Sequence, residues 1–409
     1  MKPSLLMVAY ACDPDGIGEY WLGWGWAEEA SKHYNLHLIT TPKGRKGVER
    51  ESERCGFQAH FVDLSSRMTR WAGLLRRGGD YLPMILWQRR VLEVANNLHR
   101  RERFALVHQT TFHSFRVPFQ ASRLGIPSVW GPIAGGESVP KGFGRFLGPA
   151  RTSERLRQIV NRPWLEIPSV AASLRRADVL LVSNRVTRDF LPSQFRDKTF
   201  VVPPNVMRRE DIEFDARFEE KDPAEKLSLL YAGWCVHTRS IPMVLEAIAR
   251  CGLKNYSLTV IGEGPALDYW RAEAMRWGVA KNVSFTGKLP YAVVKEHYRS
   301  ADVLVFPALR DSGGSALLEG MARGVPVLSL DWGGPGEMVD DQSGIKIPVN
   351  DPDETVRLFG EALLRLQKDP KLRVSLAKAA RKRAETLFSW PAKLELVEPH
   401  YRRLMARSQ

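Results

Sequence analysis

Asp311 and Glu319 stand eight residues apart, around Ser312-Gly313-Gly314-Ser315, within DVLVFPALRDSGGSALLEGMARGVPVLSLDWGGPGEMVDDQSG (302–344). The apolar run DVLVFPA reads as a buried strand, and the spacing predicts a helix from about Ser315. Gly313 and Gly314 let backbone amides approach an anion at that helix start, where the helix dipole favours negative charge. Two carboxylates beside an anion site are best used as acceptors for neutral hydroxyls, such as a sugar hydroxyl pair or a ribose diol. The plainer reading is that Glu319 caps or pairs locally.

A second glycine-rich turn, CDPDGIGEYWLGWGWA, follows the first apolar run and puts Gly16 and Gly18 between a strand and a helix. Its amides could meet a phosphate or a sugar, or the glycines serve only close packing. The dinucleotide fingerprint requires a third glycine where Trp21 stands, and an acidic residue after the second strand. NLHLITT offers none, which argues against a nicotinamide cofactor. Asp13-Pro-Asp15 and Asp351-Pro-Asp353 have the spacing of a metal–diphosphate pair, but Asp and Pro favour turns for local reasons, and the turn reading is preferred. No metal or cofactor is expected.

These loops need a scaffold. A chain of 409 residues suggests two domains. SLLMVAYA, NLHLITT, AHFVDL, FALVHQTT, PSVWGPI, DVLLVSN and TFVVPP read as strands in the first half, and KLSLLYAGW, YSLTVIGEG, NVSFTG, DVLVFPA and PVLSLD in the second. Helical periodicity at Leu22–Tyr34, Leu82–Arg101 and Ile241–Cys251 separates them. Aliphatic strands alternating with helices indicate an α/β protein with parallel sheets. The rhythm breaks at the charged stretch 207–226, giving domains over 1–210 and 220–388 and a terminal segment over 389–409. In that segment Leu394, Val397, Tyr401, Leu404 and Met405 share one helical face that must be buried.

No apolar run reaches the ~20 residues of a membrane span. The first apolar stretch runs straight into a turn, as a strand and not a signal peptide would. Cys12, Cys55, Cys235 and Cys251 form neither a disulfide framework nor a zinc signature, so a reducing, cytoplasmic compartment is expected. The net charge is +14, and residues 1–210 carry +13 of it. Such asymmetry points to an anionic partner for the first half, or merely to solubility.

Taken in order, these residues resemble a GT-B glycosyltransferase of the large retaining family 4, the glycosyl transferases group 1. The resemblance runs through IGEGP (261–265), NVSFTG (282–287), SADVLVFPA (300–308), the Asp311/Glu319 pair, MARGVPVLS (321–329) and the terminal FSW before a helix. In the first half it is looser, through GIGEYWLGWGW, GIPSVWGPIAGGE and RRADVLLVSN. It implies two Rossmann-like domains facing across a cleft, with the C-terminal helix crossing back to the first. By position, Glu319 would hold the ribose diol of a nucleotide-sugar, Asp311 would meet the transferred sugar, and Arg239 would meet the diphosphate. Ser312, Gly313, Gly314 and Ser315 would add amides, Gly16, Gly18 and Gly262 would line the donor loops, and Lys288 and Leu289 would flank the base. His108 and His113 are catalytic candidates of the first domain, and Gly135, Gly136 and Glu137 candidates for the acceptor. Two departures stand out: Trp234 replaces an arginine that usually follows Gly233, and Thr110 replaces a histidine.

The implied activity is retaining, metal-independent transfer of a sugar from a UDP- or GDP-sugar to a glycan, a lipid-linked or another acceptor. Trp234 and Thr110 suit an alternative, a feeble or inactive homologue that binds ligand as a partner subunit. A nucleotide-sugar epimerase fits the terminal helix and the carboxylate pair less well, and no nucleic-acid-binding motif is present.

Residues 64–103 hold nine basic and three acidic side chains: Arg67, Arg70, Arg76, Arg77, Arg89, Arg90, Arg100, Arg101 and Arg103 against Asp80, Glu93 and Glu102. Interleaved with Trp71, Leu74, Leu75, Trp87 and other apolar residues, they suit a surface lying on anionic lipid at the inner membrane face. The competing reading makes Leu82, Ile85, Leu86 and Leu92 the buried stripe of an ordinary helix.

Overall fold

A computed structural model describes residues 2–64, 81–207, 218, 220, 222 and 224–407. The chain forms two compact α/β units, each around one parallel sheet.

The first unit comprises residues up to Gly136, Val160–Pro204 and the terminal segment from Trp390. Its strands are β1 (Ser4–Ala9), β2 (Asn35–Thr40), β3 (Gln58–Phe61), β4 (Leu106–Thr111), β5 (Ser128–Ile133), β6 (Val179–Val182) and β7 (Thr199–Val201), in the order β3-β2-β1-β4-β5-β6-β7. All pairings are parallel; Leu5, for example, lies opposite Leu36 of β2 and Leu106 of β4. The order reverses between β1 and β4. Both faces of the sheet are covered, which is why β4, β5 and β6 are buried along their whole length. On one face, Trp87, Val91, Ala95 and Leu98 of the helix Tyr81–Glu102 pack with Val107, Trp130 and Leu180. On the other, the helices Glu19–Ser31 and Trp390–Ala406 cover Met7, Leu38 and Val129. Leu394, Val397, Tyr401 and Leu404 are buried there, with Met405 packed beside them, so the terminal helix completes the first unit's core.

The second unit holds β8 (Leu227–Ala232), β9 (Tyr256–Ile261), β10 (Val283–Gly287), β11 (Val303–Phe306), β12 (Val327–Leu330) and β13 (Gly344–Ile347), in the order β10-β9-β8-β11-β12-β13. It reverses between β8 and β11, as the first does between β1 and β4.

Three differences from the sequence reading have physical causes. β13 lies outside it: GIKI is short and follows a turn directly, so neither length nor alternation marks it. The chain is not cut once near 207–226, because Glu137–Ile159 clusters with the second unit. Val139, Phe143, Phe146 and Leu147 bury themselves in that unit's core, and Trp332 Nε1–H donates to the Ser138 carbonyl at 2.9 Å. Third, the buried stripe of the helix Tyr81–Glu102 is Met84, Trp87, Val91, Ala95 and Leu98, while Leu82 is exposed and Ile85, Leu86 and Leu92 are only partly covered. Arg67, Arg70, Trp71, Leu74, Leu75, Arg76 and Arg77 of the basic stretch, and most of the charged segment 207–226, lie outside the described residues.

Candidate active site

In an open parallel sheet, ligands bind beyond the carboxyl ends of the strands, where the strand order reverses. In the second unit that place lies between the loops after β8 and β11. The first carries Arg239 in a short turn, His237–Arg239; the second carries Asp311. The Leu309 N–H donates to the Thr238 carbonyl at 2.9 Å and ties the two loops together. Arg239 and Asp311 form an ion pair with little exposure on either side, and the guanidinium lies 5.0 Å from the centre of the Phe306 ring. Burial pushes the Arg239 guanidinium below its ordinary value, and the positive charge of Arg310 adds to that.

The Asp311 loop is shaped by its own backbone. The Gly313 N–H donates to Asp311 Oδ1 at 3.0 Å. Gly314 takes a left-handed φ of 78° as the cap of the helix Ser315–Ala322, and no side chain caps that end. Amides at an uncapped helix start are open to an outside acceptor. On its far side the loop rests on Gly334, whose N–H donates to the Asp311 carbonyl at 2.9 Å. A Cβ on Gly334 would fall 2.5 Å from the Gly313 nitrogen, and one on Gly313 2.7 Å from the Asn205 side chain. Glu319 sits partly buried one turn into the helix. The Tyr298 phenol is raised well above its usual value, first by burial and then by the Glu319 charge.

Gly262 follows β9 with a φ of 140°, and a Cβ there would strike the Gly233 carbonyl, so its absent side chain serves close packing of two strand-end loops. Lys288 and Leu289 follow β10. Lys288 is exposed and pairs with Glu263 at 3.6 Å. Trp234, where the resemblance implied an arginine, exposes 55% of its surface. Arg310, beside Asp311, is a cation that the sequence reading did not single out; it pairs with buried Glu154 at 3.2 Å.

In the first unit the same position lies between the loops after β1 and β4. Gly18, at a φ of 58°, starts the helix Glu19–Ser31, and a Cβ on Gly16 would fall 2.7 Å from the Tyr20 Cβ. His113, in the loop after β4, meets Glu19 through Nδ1 at 2.7 Å. Glu19 was missed because a glutamate at a helix start reads as dipole compensation. His113 Nε2 and Glu19 Oε2 are buried and have no hydrogen-bond partner among the described residues.

His108 is corrected. It lies inside β4 with no exposure, its Nε2 against the Gly131 carbonyl at 2.7 Å and its Nδ1 against the Tyr401 hydroxyl. Burial pushes its imidazole down to about 4. Nε2 is engaged by β5 and Nδ1 by the terminal helix, which leaves neither for a substrate. Gly135 and Gly136 are tightly packed. The Gly135 carbonyl accepts from Asn161 Nδ2 at 2.8 Å, and a Cβ on Gly136 would meet the Phe190 ring. Glu137 is buried, with its carbonyl accepting from Arg157. The Asp-Pro-Asp segments are turns: Asp351 accepts from the amides of Asp353 and Glu354 and caps a helix, and Asp13 accepts from the Asp15 amide.

Residues 213–383 match the model of the family described as Glycosyl transferases group 1. The GDP-mannose-dependent alpha-(1-6)-phosphatidylinositol monomannoside mannosyltransferase of Mycolicibacterium smegmatis is 27% identical over 271 residues, which are 60% of this chain and 70% of that protein. A D-inositol 3-phosphate glycosyltransferase of Saccharomonospora viridis is 29% identical over 45% of this chain and 44% of its own length, so the chain spans under half of that relative. Among solved structures, the lipopolysaccharide outer core galactosyltransferase WaaB in its apo form superimposes with a TM-score of 0.63 at 14% identity, covering 96% of this chain and 97% of its own. The two-sheet α/β fold is that of the GT-B glycosyltransferases.

Proposed function

We propose, from the match of residues 213–383 to the glycosyl transferases group 1, that this chain transfers a sugar from a UDP- or GDP-sugar to an acceptor hydroxyl with retained anomeric configuration. The observation that carries the reading is the second unit's switch point, where the Arg239–Asp311 pair stands beside an uncapped helix start at Gly314. A departing diphosphate needs positive charge aimed at it in a site that excludes water. Arg239 and the amides from Gly314 onward supply it, and Arg310 replaces the charge lost with Trp234. Asp311 then has two duties: holding Arg239 and receiving a hydroxyl of the transferred sugar. Glu319 takes the ribose diol. Lys288 and Leu289 flank the base.

In this scheme the bond from the sugar's anomeric carbon to the diphosphate breaks while the acceptor oxygen bonds to that carbon on the same face. The acceptor proton passes to the departing phosphate oxygen, so no metal is needed. The first unit contributes His113, oriented by Glu19, and the acceptor is a glycan or a lipid-linked molecule. The similar mannosyltransferase, whose name gives a GDP-mannose donor and a phosphatidylinositol monomannoside acceptor, favours this class.

A thermal-shift panel of UDP, GDP, ADP and their sugars tests the reading, because a ligand that binds only the folded state raises the melting temperature by mass action. One base class should stabilise the protein, and its sugar should then be transferred in the presence of EDTA. If no nucleotide moves the melt, the donor site is misassigned. If a nucleotide binds without any transfer, the chain is the ligand-binding homologue instead.

A further inference from the structure

The helix Arg151–Asn161 (RTSERLRQIVN) is turned inside out relative to an ordinary surface helix. Leu156, Ile159 and Val160 are 60%, 65% and 50% exposed, and no other described helix shows three large aliphatic side chains so bare. At 100° per residue, Thr152, Leu156 and Ile159 lie along one line, with Val160 beside it. Arg151 and Arg155 are exposed along one border of that strip, and exposed Arg162 continues the border just beyond the helix. The helix's single carboxylate, Glu154, is on the opposite side, buried and paired with Arg157 and Arg310. Hence the outward face carries apolar side chains and positive charge, with no acid among them.

We propose that this helix docks the protein on an anionic lipid surface. An aliphatic strip edged by arginines matches the boundary between lipid headgroups and acyl chains, with the arginines at the phosphates. Charge complementarity selects that occupant, since a protein partner for so basic a rim would itself have to be acidic. The strip lies on the side of the helix opposite Glu154, which pairs with Arg310, and it is separate from the helix Tyr81–Glu102, whose apolar stripe is buried.

The full chain, sedimented with phosphatidylcholine vesicles containing 30% phosphatidylglycerol, should be recovered in the pellet, and with phosphatidylcholine alone in the supernatant. Raising the salt should weaken the binding. Leu156→Asp with Ile159→Asp should lower the partition coefficient at least tenfold, and so should Arg151→Glu with Arg155→Glu. Since all four side chains are exposed, the melting temperature should stay within a few degrees. Arg89→Glu with Arg100→Glu, on the helix Tyr81–Glu102, should change binding less than threefold. The proposal is overturned if wild type ignores both vesicle types, if the control variant loses as much as the helix variants, or if the helix variants bind normally. It also falls if sedimentation velocity shows a wild-type dimer that Leu156→Asp with Ile159→Asp dissociates, since the strip would then be a self-association surface. None of these readouts needs glycosyl transfer, so the outcome is separable from the activity.

Discussion

Arg239 and Asp311 were expected to meet different parts of one donor, and the structure joins them to each other. A partly buried charge that loses its partner costs more than the pair contributes net, so each substitution should also disturb its neighbour. Arg239→Ala should weaken nucleotide binding at least tenfold, on the scale of about 1.5–3 kcal/mol for a charged hydrogen-bond partner. Asp311→Asn should lower turnover and also loosen binding. Calorimetry on both variants and the double variant should show coupling; strictly additive losses would deny that the two side chains work as a unit. At the first unit's switch point, Glu19→Gln should lower kcat severalfold with little change in donor KM, and Glu19→Asp should restore part of it. An equal rise in donor KM would place Glu19 in binding instead of orienting His113. Acid stability depends on the buried histidines. Burial lowers His108 and His60 to about 4, and His37 below its usual value. Their folded values lie beneath the unfolded value near 6.5, so the unfolded chain takes up more protons as pH falls. The histidine contribution to stability should be at its plateau above about pH 6.5 and drop between there and about pH 4, with His108 alone contributing about 1.4 kcal/mol per pH unit. Denaturant melts of wild type and His108→Gln across that range check this, the variant having the shallower slope.

At the scale of elements, the terminal helix contains a liability. Lys393 is buried, donates to the Pro203 carbonyl, and burial pushes its ammonium down to about 7. Its folded value lies below the unfolded 10.5, so the helix is penalised most at and below pH 7, and the penalty fades as pH rises toward 10.5. Lys393→Met keeps the length and removes the charge, so the melting temperature at pH 7 should rise by a few degrees, and the gain should shrink at pH 10. A fall in melting temperature at pH 7 would mean that the hydrogen bond to Pro203 outweighs desolvation. The strands were legible because β-branched and aliphatic runs buried on both faces are a strong local signal. SLLMVA, VLLV and VLVF declare themselves, and GIKI does not. Asp311, Glu319, Gly313 and Gly314 were legible for a similar reason, being close together in the chain. Glu19 with His113 was not, because the pairing joins residues 94 apart. Nor did sequence show that Phe143 and Phe146 pack into the second unit, since an apolar residue does not say which core it will enter.

For the whole molecule, the segment from Trp390 decides whether the first unit exists as a folded body. Leu394, Val397, Tyr401 and Leu404 are each at most 4% exposed. At roughly 1.5–3 kcal/mol per fully buried side chain, their sum rivals the 5–15 kcal/mol that holds a typical domain together. A chain ending at Ser389 should therefore keep slow amide exchange in the second unit and lose it across β1, β2 and β4. Retained protection in those strands would show that the helix is an accessory. This geometry also sets an order of events during synthesis. Strands made early wait for a helix made much later, because His108 finds the Tyr401 hydroxyl only once a residue 293 positions further along has been added. In the interval an unfinished apolar sheet face stands open to chaperones and proteases, and cellular yield will depend on how quickly translation delivers the helix that carries Tyr401.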